Sequence, residues 1–378
     1  MRTSISTVIL IAGLASTAAQ AADSDVATRL ADLRAVGPEA AGHREAAAAW
    51  QGIAAESPAA LPAILAGMDG AGPLAANWIA TAAQAVVERR LQKGGSFPSA
   101  ELERFVLERN HSSRARRLAY EFVLRVDPKA EQRLVPQMLD DPSLELRRDA
   151  VDRIIGEAAA AAESGKSEPA VALYRQALQA ARDLDQVQLL AQRLRKLGQS
   201  VDLARQLGYL VRWKLIGPFD NTERKGFDAV YPPEREIRAD AAYPGKQVEV
   251  RWVEFAAEDD FGKIDFFKPF GQHREVAGYA VTEFIADRRR EVEFRMSSFN
   301  ATKLWLNGKL VDQYPVYHSG SQPDQYVNRV LLEPGRNVIL VKVCQNEQTQ
   351  DWAQRWDFQL RVCDEIGGAV LSADRDVK

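Results

Sequence analysis

Apolar residues recur at two different periods along this chain, and the change falls near Gly208. Before it, Leu102, Phe105 and Val106, and then Leu118, Phe122 and Val123, return at the three- and four-residue steps of one helix face. Proline and glycine punctuate this half at Pro58, Gly70, Gly72-Pro73, Gly94-Gly95, Pro98, Pro128, Pro142 and Gly165. Helices of roughly one to two dozen residues fit between them. After Gly208, Val248, Val250, Trp252 and Glu254 alternate with Glu249, Arg251 and Val253. Val292, Phe294 and Met296 alternate with Glu293, Arg295 and Ser297 in the same way, the period of two that a strand imposes. Asn307-Gly308, between Leu306 and Lys309, predicts a type I′ hairpin, because both central positions need positive φ. Glu333-Pro334-Gly335-Arg336 predicts a second turn. Roughly nine strands are expected, enough for two stacked sheets.

The helical half carries an internal repeat. Asp141-Pro142-Ser143-Leu144-Glu145-Leu146-Arg147-Arg148-Asp149-Ala150 lines up with Asn110-His111-Ser112-Ser113-Arg114-Ala115-Arg116-Arg117-Leu118-Ala119, 31 residues earlier. Pro73 to Ala80 is a weaker copy, with Asn77 where the others have arginine. The pattern resembles HEAT repeats over about 60–160. Asp141 and Ser143 suit the turn and helix cap, and Ala119 and Ala150 suit close helix approach. Arg116 and Arg147 are expected to pair with a turn carboxylate rather than a ligand. Ala170–Leu178 with Asp185–Gly198 is similar to one tetratricopeptide-type helix pair.

In the second half, Trp213 to Phe219, Tyr231-Pro232-Pro233-Glu234, Val250-Arg251-Trp252, Lys303 to Lys309 and Asn337 to Val343 resemble a module of exported bacterial multidomain proteins. The module is similar to galactose-binding-like jelly rolls and to the sugar-binding domain of family 2 glycoside hydrolases. The resemblance covers about 209–370 and implies an accessory, non-catalytic role. Related modules often read Ser-Asp-Asp-Gly before this hairpin, where the acids serve calcium or ligand. Ser298-Phe299-Asn300-Ala301 stands here instead, so no calcium site carries over.

The fold class expected is α+β multidomain: an N-terminal α-solenoid of HEAT-like helical repeats, then a C-terminal β-sandwich jelly roll. The domains expected are a signal peptide at 1–22, helical repeats at 23–208, the galactose-binding-like sandwich at 209–370 and a tail at 371–378. Arg2, the apolar run Val8–Leu14 and Ala19-Gln20-Ala21 carry the leader reading. That run falls far short of the ~20 residues a spanning helix needs, and no later segment supplies them. A periplasmic or secreted location follows. The formal net charge of -3 gives no general attraction to nucleic acid or anionic membrane.

Export permits a disulfide between Cys344 and Cys363. Asn337–Cys344 and Trp356–Cys363 read as adjacent antiparallel strands, a register that holds the sulfurs roughly 20 Å apart. Two free thiols are therefore expected.

No catalytic motif stands out. The four histidines, His43, His111, His273 and His318, are scattered, and there is no Gly-x-Ser-x-Gly elbow, Walker loop or dinucleotide fingerprint. No cofactor or metal is expected, and Glu258-Asp259-Asp260 reads as solvated charge. Trp213, Trp252, Trp305 and Trp356 are expected to pack the core. Sugars stack their C–H faces on aromatic rings, and two loops supply candidates: Tyr314, Tyr317 and His318 in one, Trp352 in the other. The function expected is an exported non-catalytic binding protein, not an enzyme. Its jelly roll would recognise a glycan or cell-surface polymer, and its repeats would scaffold or dock a protein partner. The alternative is a structural, protein-interaction component of an envelope assembly with no sugar ligand.

Overall fold

The computed structural model describes residues 25–375. The expected leader, residues 1–22, and the end of the tail, 376–378, lie outside the described residues. The protein is an α+β multidomain chain whose described residues fall into two compact units that divide between 193 and 194. Among the described residues no helix is long and apolar enough to cross a membrane.

The first unit is helical. It runs through α1 (25–34), α2 (His43–Ala54), α3 (Leu61–Ala66), α4 (Pro73–Lys93), α5 (Ser99–Leu107), α6 (Ser113–Val126), α7 (Ala130–Leu134), α8 (Leu144–Glu163) and α9 (Ser167–Ala180). Helix α10 (Leu184–Lys196) crosses the boundary between the units. The two aligned sequence copies fold alike at their starts. Ser112 caps α6 by accepting from Ala115 N, and Ser143 caps α8 by accepting from Leu146 N. Ala119 and Ala150 are buried. Arg116 donates to the carbonyl of Val106 (2.8 Å) and, through both terminal nitrogens, to the carboxylate of Asp141. Arg147, its counterpart, donates to the carbonyls of Asp141 (2.7 Å) and Ala180 (3.2 Å). Asn77 does not take the arginine role: it is exposed and accepts from Arg114 at 2.7 Å.

The second unit begins with the short α11 (Leu203–Leu207) and then becomes antiparallel sheet. Its strands are β1 (Arg212–Asp220), β2 (Ala242–Pro244), β3 (Glu249–Arg251), β4 (Val253–Ala256), β5 (Ile264–Asp265), β6 (Val276–Ala286), β7 (Arg290–Ser298), β8 (Ala301–Leu306), β9 (Lys309–Tyr314), β10 (Tyr326–Leu332), β11 (Gly335–Gln345) and β12 (Asp357–Cys363). Two short helices, α12 (Pro232–Arg235) and α13 (Phe267–Phe270), interrupt them. One sheet has the order β4-β1-β6-β11-β8-β9, the second β10-β7-β12-β5, and β2 and β3 form a hairpin. The alternation seen through Val248–Glu254 is therefore split at Trp252, with β3 pairing β2 and β4 pairing β1. Asn307 and Gly308 have φ of 52° and 78°, as the type I′ hairpin requires.

Inner-face residues of both sheets share one core: Leu215, Phe284, Ile339, Val341 and Val343 from the first meet Phe294, Met296, Phe358, Leu360 and Val362 from the second. Trp356 is fully buried in it, and Trp213 is buried beside it. A Cβ on Gly278 would meet the Trp356 indole at 2.6 Å, so this backbone position must stay bare for the ring to lie on the strand.

The two cysteine-bearing strands do not pair with each other, contrary to the expected register. β11 pairs β6 and β8, whereas β12 pairs β5 and β7 in the other sheet. Both thiols are free and buried. The reason differs from the one expected. Cys344 packs on the outer side of the six-stranded sheet with Ile216, Phe219 and Tyr279, while Cys363 lies in the other sheet and faces Glu293 O. Stacked sheets sit ~10 Å apart, beyond disulfide reach.

That outer side is covered by residues 221–235. Lys342, on β11, is fully buried beneath them. Its ammonium donates to the carbonyls of Phe227 (3.0 Å) and Ala229 (2.7 Å) and to Glu234 Oε1 (2.9 Å). Tyr279 also donates to Glu234 Oε1. Burial, with Glu234 alongside, pushes the Tyr279 phenol far up. The segments Tyr231–Glu234 and Asn337–Val343 thus meet in a buried clasp.

Candidate recognition site at one end of the sandwich

β1 and β11 each pair antiparallel with β6, and β9 and β11 each pair antiparallel with β8. β1, β9 and β11 therefore run in one direction and release their following loops at one end of the sandwich. The β7–β8 connection, Ser298-Phe299-Asn300, turns at that same end.

Three aromatic side chains from three of these loops meet there. The His318 ring lies 5.0 Å from Trp352 and 4.9 Å from Phe299, both edge-on, and Phe299 and Trp352 are 6.3 Å apart. Edge-to-face contact at these separations is the favoured aromatic geometry. His318 has a left-handed backbone (φ 61°), and its amide donates to Phe299 O at 2.7 Å, which ties the loops together. Its Nε2 lies 2.9 Å from Asn346 Nδ2, whereas Nδ1 is buried with no partner. Burial and the Arg224 guanidinium lower the His318 pKa, while Asn346 opposes them, so the ring is neutral above its ordinary 6.5. Trp352 is 59% exposed, the most accessible tryptophan among the large apolar side chains at the surface.

Polar side chains frame the patch. Arg355 stands over Phe299 (4.9 Å), donates twice to Asp357 and once to Ser321 Oγ. Asn300 donates to Arg355 O (2.8 Å) and accepts from Asp357 N (3.0 Å). It thus stitches the Trp352 loop to the β7–β8 turn. Phe299 thus supplies a ring and Asn300 a backbone staple, and neither brings a carboxylate. Arg224 pairs with Glu347 (2.5 Å), which holds that carboxyl below its ordinary 4.5.

Of the four predicted ligand residues, His318 and Trp352 are in contact. Tyr317 borders them through another set of partners: it accepts from Asn221 Nδ2 (3.2 Å), and the Arg224 guanidinium covers its ring at 5.2 Å. Burial pushes its phenol up to about 12. Tyr314 stands apart. It is the last residue of β9 rather than a loop residue, its ring is stacked on Tyr326 at 3.7 Å, and its hydroxyl lies 2.9 Å from both Asp312 Oδ2 and Asn328 Oδ1. Sequence reasoning missed Phe299, Arg224 and Glu347. The one local signal was the departure at Ser298–Ala301. Among the described residues, no group of three or more His, Cys, Asp and Glu side chains is placed to hold a metal ion.

A groove of about 480 Å³ lies near the opposite end of the six-stranded sheet, lined by Lys214, Glu254, Glu283, Arg336, Ile237 and Val338 among others. Lys214 pairs there with Glu254 (3.2 Å) and Arg336 with Glu283 (2.6 Å).

No protein-family model and no curated protein matches the chain. Weak likenesses among solved structures are to glycoside hydrolases. One is a beta-glucuronidase of an uncultured Clostridium (15% identity, 42% of this chain, 29% of that one, TM-score 0.27). Another is a Faecalibacterium prausnitzii beta-glucuronidase (14%, 42%, 31%, TM-score 0.24). A third is a Kluyveromyces marxianus beta-glucosidase in complex with glucose (10%, 75%, 35%, TM-score 0.25). This chain spans under a third of the length of the two glucuronidases. At these TM-scores the likeness assigns nothing to this chain.

Proposed function

We propose that this is an exported, non-catalytic binding protein of the periplasm or cell exterior. Its sandwich, read as a galactose-binding-like jelly roll, recognises a glycan or envelope polymer through the rim formed by Trp352, His318 and Phe299. Its helical unit, read as a HEAT-like solenoid, scaffolds it or docks a protein partner. The observation that carries the reading is Trp352: an indole left 59% exposed while His318 and Phe299 hold it edge-on. A ring fixed in place and open to solvent costs little further ordering on binding, which is what a stacking platform requires. Asn346 and the Arg224–Glu347 pair set hydrogen-bonding groups around it.

The test is a binding screen of the full chain against glycans and cell-wall polymers, repeated with Trp352→Ala. A specific hit lost in the variant supports the reading. A hit that Trp352→Ala leaves at full affinity removes the rim from it, and no hit across the panel favours the protein-assembly alternative.

A further inference from the structure

We infer that residues 221–235 form a strap belonging to the rim site, and that Lys342 is the positioning residue that locks the strap there. The inference rests on reading the rim as a ligand site. It deepens that reading by assigning the site's polar half.

The head of the strap touches the rim. Asn221 is fully buried and donates to Tyr317 Oη (3.2 Å) and to Gln345 O (3.0 Å). Arg224 lies over the Tyr317 ring and pairs with Glu347. Glu347 follows Asn346, which holds His318, which abuts Trp352. Arg224 and Glu347 remain 49% and 47% exposed, so the pair offers donors and acceptors to solvent beside the aromatic patch. A polyhydroxylated ligand stacked on Trp352 needs such partners for its hydroxyls, and a neutral one suits a pair whose charges already cancel.

The backbone of the strap is strained where Arg224 is presented. Glu223 and Arg224 have φ of 56° and 64°, two consecutive non-glycine residues in the left-handed region. Gly226 is pressed against the preceding chain, for a Cβ there would meet Asp220 O at 2.2 Å. Such strain persists where the surroundings over-determine the backbone, and it concentrates at ligand clamps. The over-determination has identifiable sources here. Glu275 Oε1 accepts from Glu223 N (3.0 Å), and at the tail Lys342 grips Phe227 O, Ala229 O and Glu234 together. A buried ammonium satisfied by three oxygens from one segment cannot release one of them without losing compensation for its own desolvation.

The experiment is hydrogen–deuterium exchange on the full chain and on Lys342→Met, without ligand. The expected result is about tenfold faster exchange in 222–235 and, together with it, in 315–321 and 346–350, while β8 and β12 stay protected. Faster exchange confined to the strap would overturn the coupling. Uniform acceleration of every amide, or no change, would overturn it equally. Tyr279→Phe removes only the hydroxyl on Glu234 and is the second variant should Lys342→Met fail to fold; roughly threefold acceleration of the same segments is expected. The readout needs no sugar, so a rim that binds no glycan and a strap that does not couple to the rim give different results.

Discussion

Arg116 places both terminal nitrogens on the carboxylate of Asp141, at 2.8 and 2.5 Å, across 25 residues of chain and with neither side chain open to solvent. The preceding residue, Asp140, pairs with Arg109 at 2.5 Å in the open. Removing one partner of a buried pair strands a charge and costs about 3–5 kcal/mol, whereas an exposed pair contributes about 1 kcal/mol or less. Asp141→Asn is expected to destabilise the helical unit by the larger amount and Asp140→Asn by the smaller. Urea unfolding of the two variants checks this, and equal losses would contradict the assignment.

Acid should weaken the sandwich through Asp324. Burial pushes this carboxyl up, but Arg361 and Arg295 pull it back, for a net position below its ordinary 3.8. A depressed carboxylate contributes stability that is present above its unfolded pKa and is lost as pH falls through the folded one. The stability gap between the parent and Asp324→Asn is therefore expected to be full above pH ~4 and to close below it. Melting temperatures from pH 2 to 7 give the answer, and a gap independent of pH would rule the pairing out.

Both cysteines should resist modification in the native protein. Burial pushes the Cys344 thiol up to about 12 and Cys363 up to about 11, so little thiolate exists at neutral pH. A thiol-specific chromogenic reagent at pH 8 should titrate none in the folded chain and both after denaturation. Rapid native labelling of either would show that its strand is not packed as described.

Two tryptophans four residues apart should behave oppositely. Trp356 is fully buried against Phe266 (4.8 Å), so Trp356→Ala should cost about 3–5 kcal/mol. Trp352 is mostly exposed, so Trp352→Ala should change stability by about 0.5 kcal/mol or less while removing any rim affinity. Thermal melts and binding measured on the same two samples separate the roles. A large stability loss in Trp352→Ala would make that ring a packing residue.

Much of the local structure was legible in the chain. The switch from a helical to a two-residue period marked the change from helix to sheet. Asn307-Gly308 closed its hairpin with both φ values positive, and Ser143 capped α8 as its sequence suggested. Such features depend on a few consecutive residues, and their chemistry is complete before the chain folds back on itself. The alternation of β12 likewise put Phe358, Leu360 and Val362 on the core face.

What joins distant segments was not legible. Alternation shows which face of β11 and β12 is apolar, but not that they lie in different sheets, since either arrangement buries the same residues. Lys342 meets Glu234 across 108 residues, Asn221 meets Tyr317 across 96, and Arg224 meets Glu347 across 123. Phe299 reads as a replaced acid until the loops bring it to His318 and Trp352. Periodicity and turn chemistry are nearest-neighbour properties, so the sequence alone specified the elements and their buried faces. The choice of partner strand, the clasp around Lys342 and the assembly of the rim are set by which surfaces pack together. That choice is a competition among whole arrangements, so it can be read only from the folded chain.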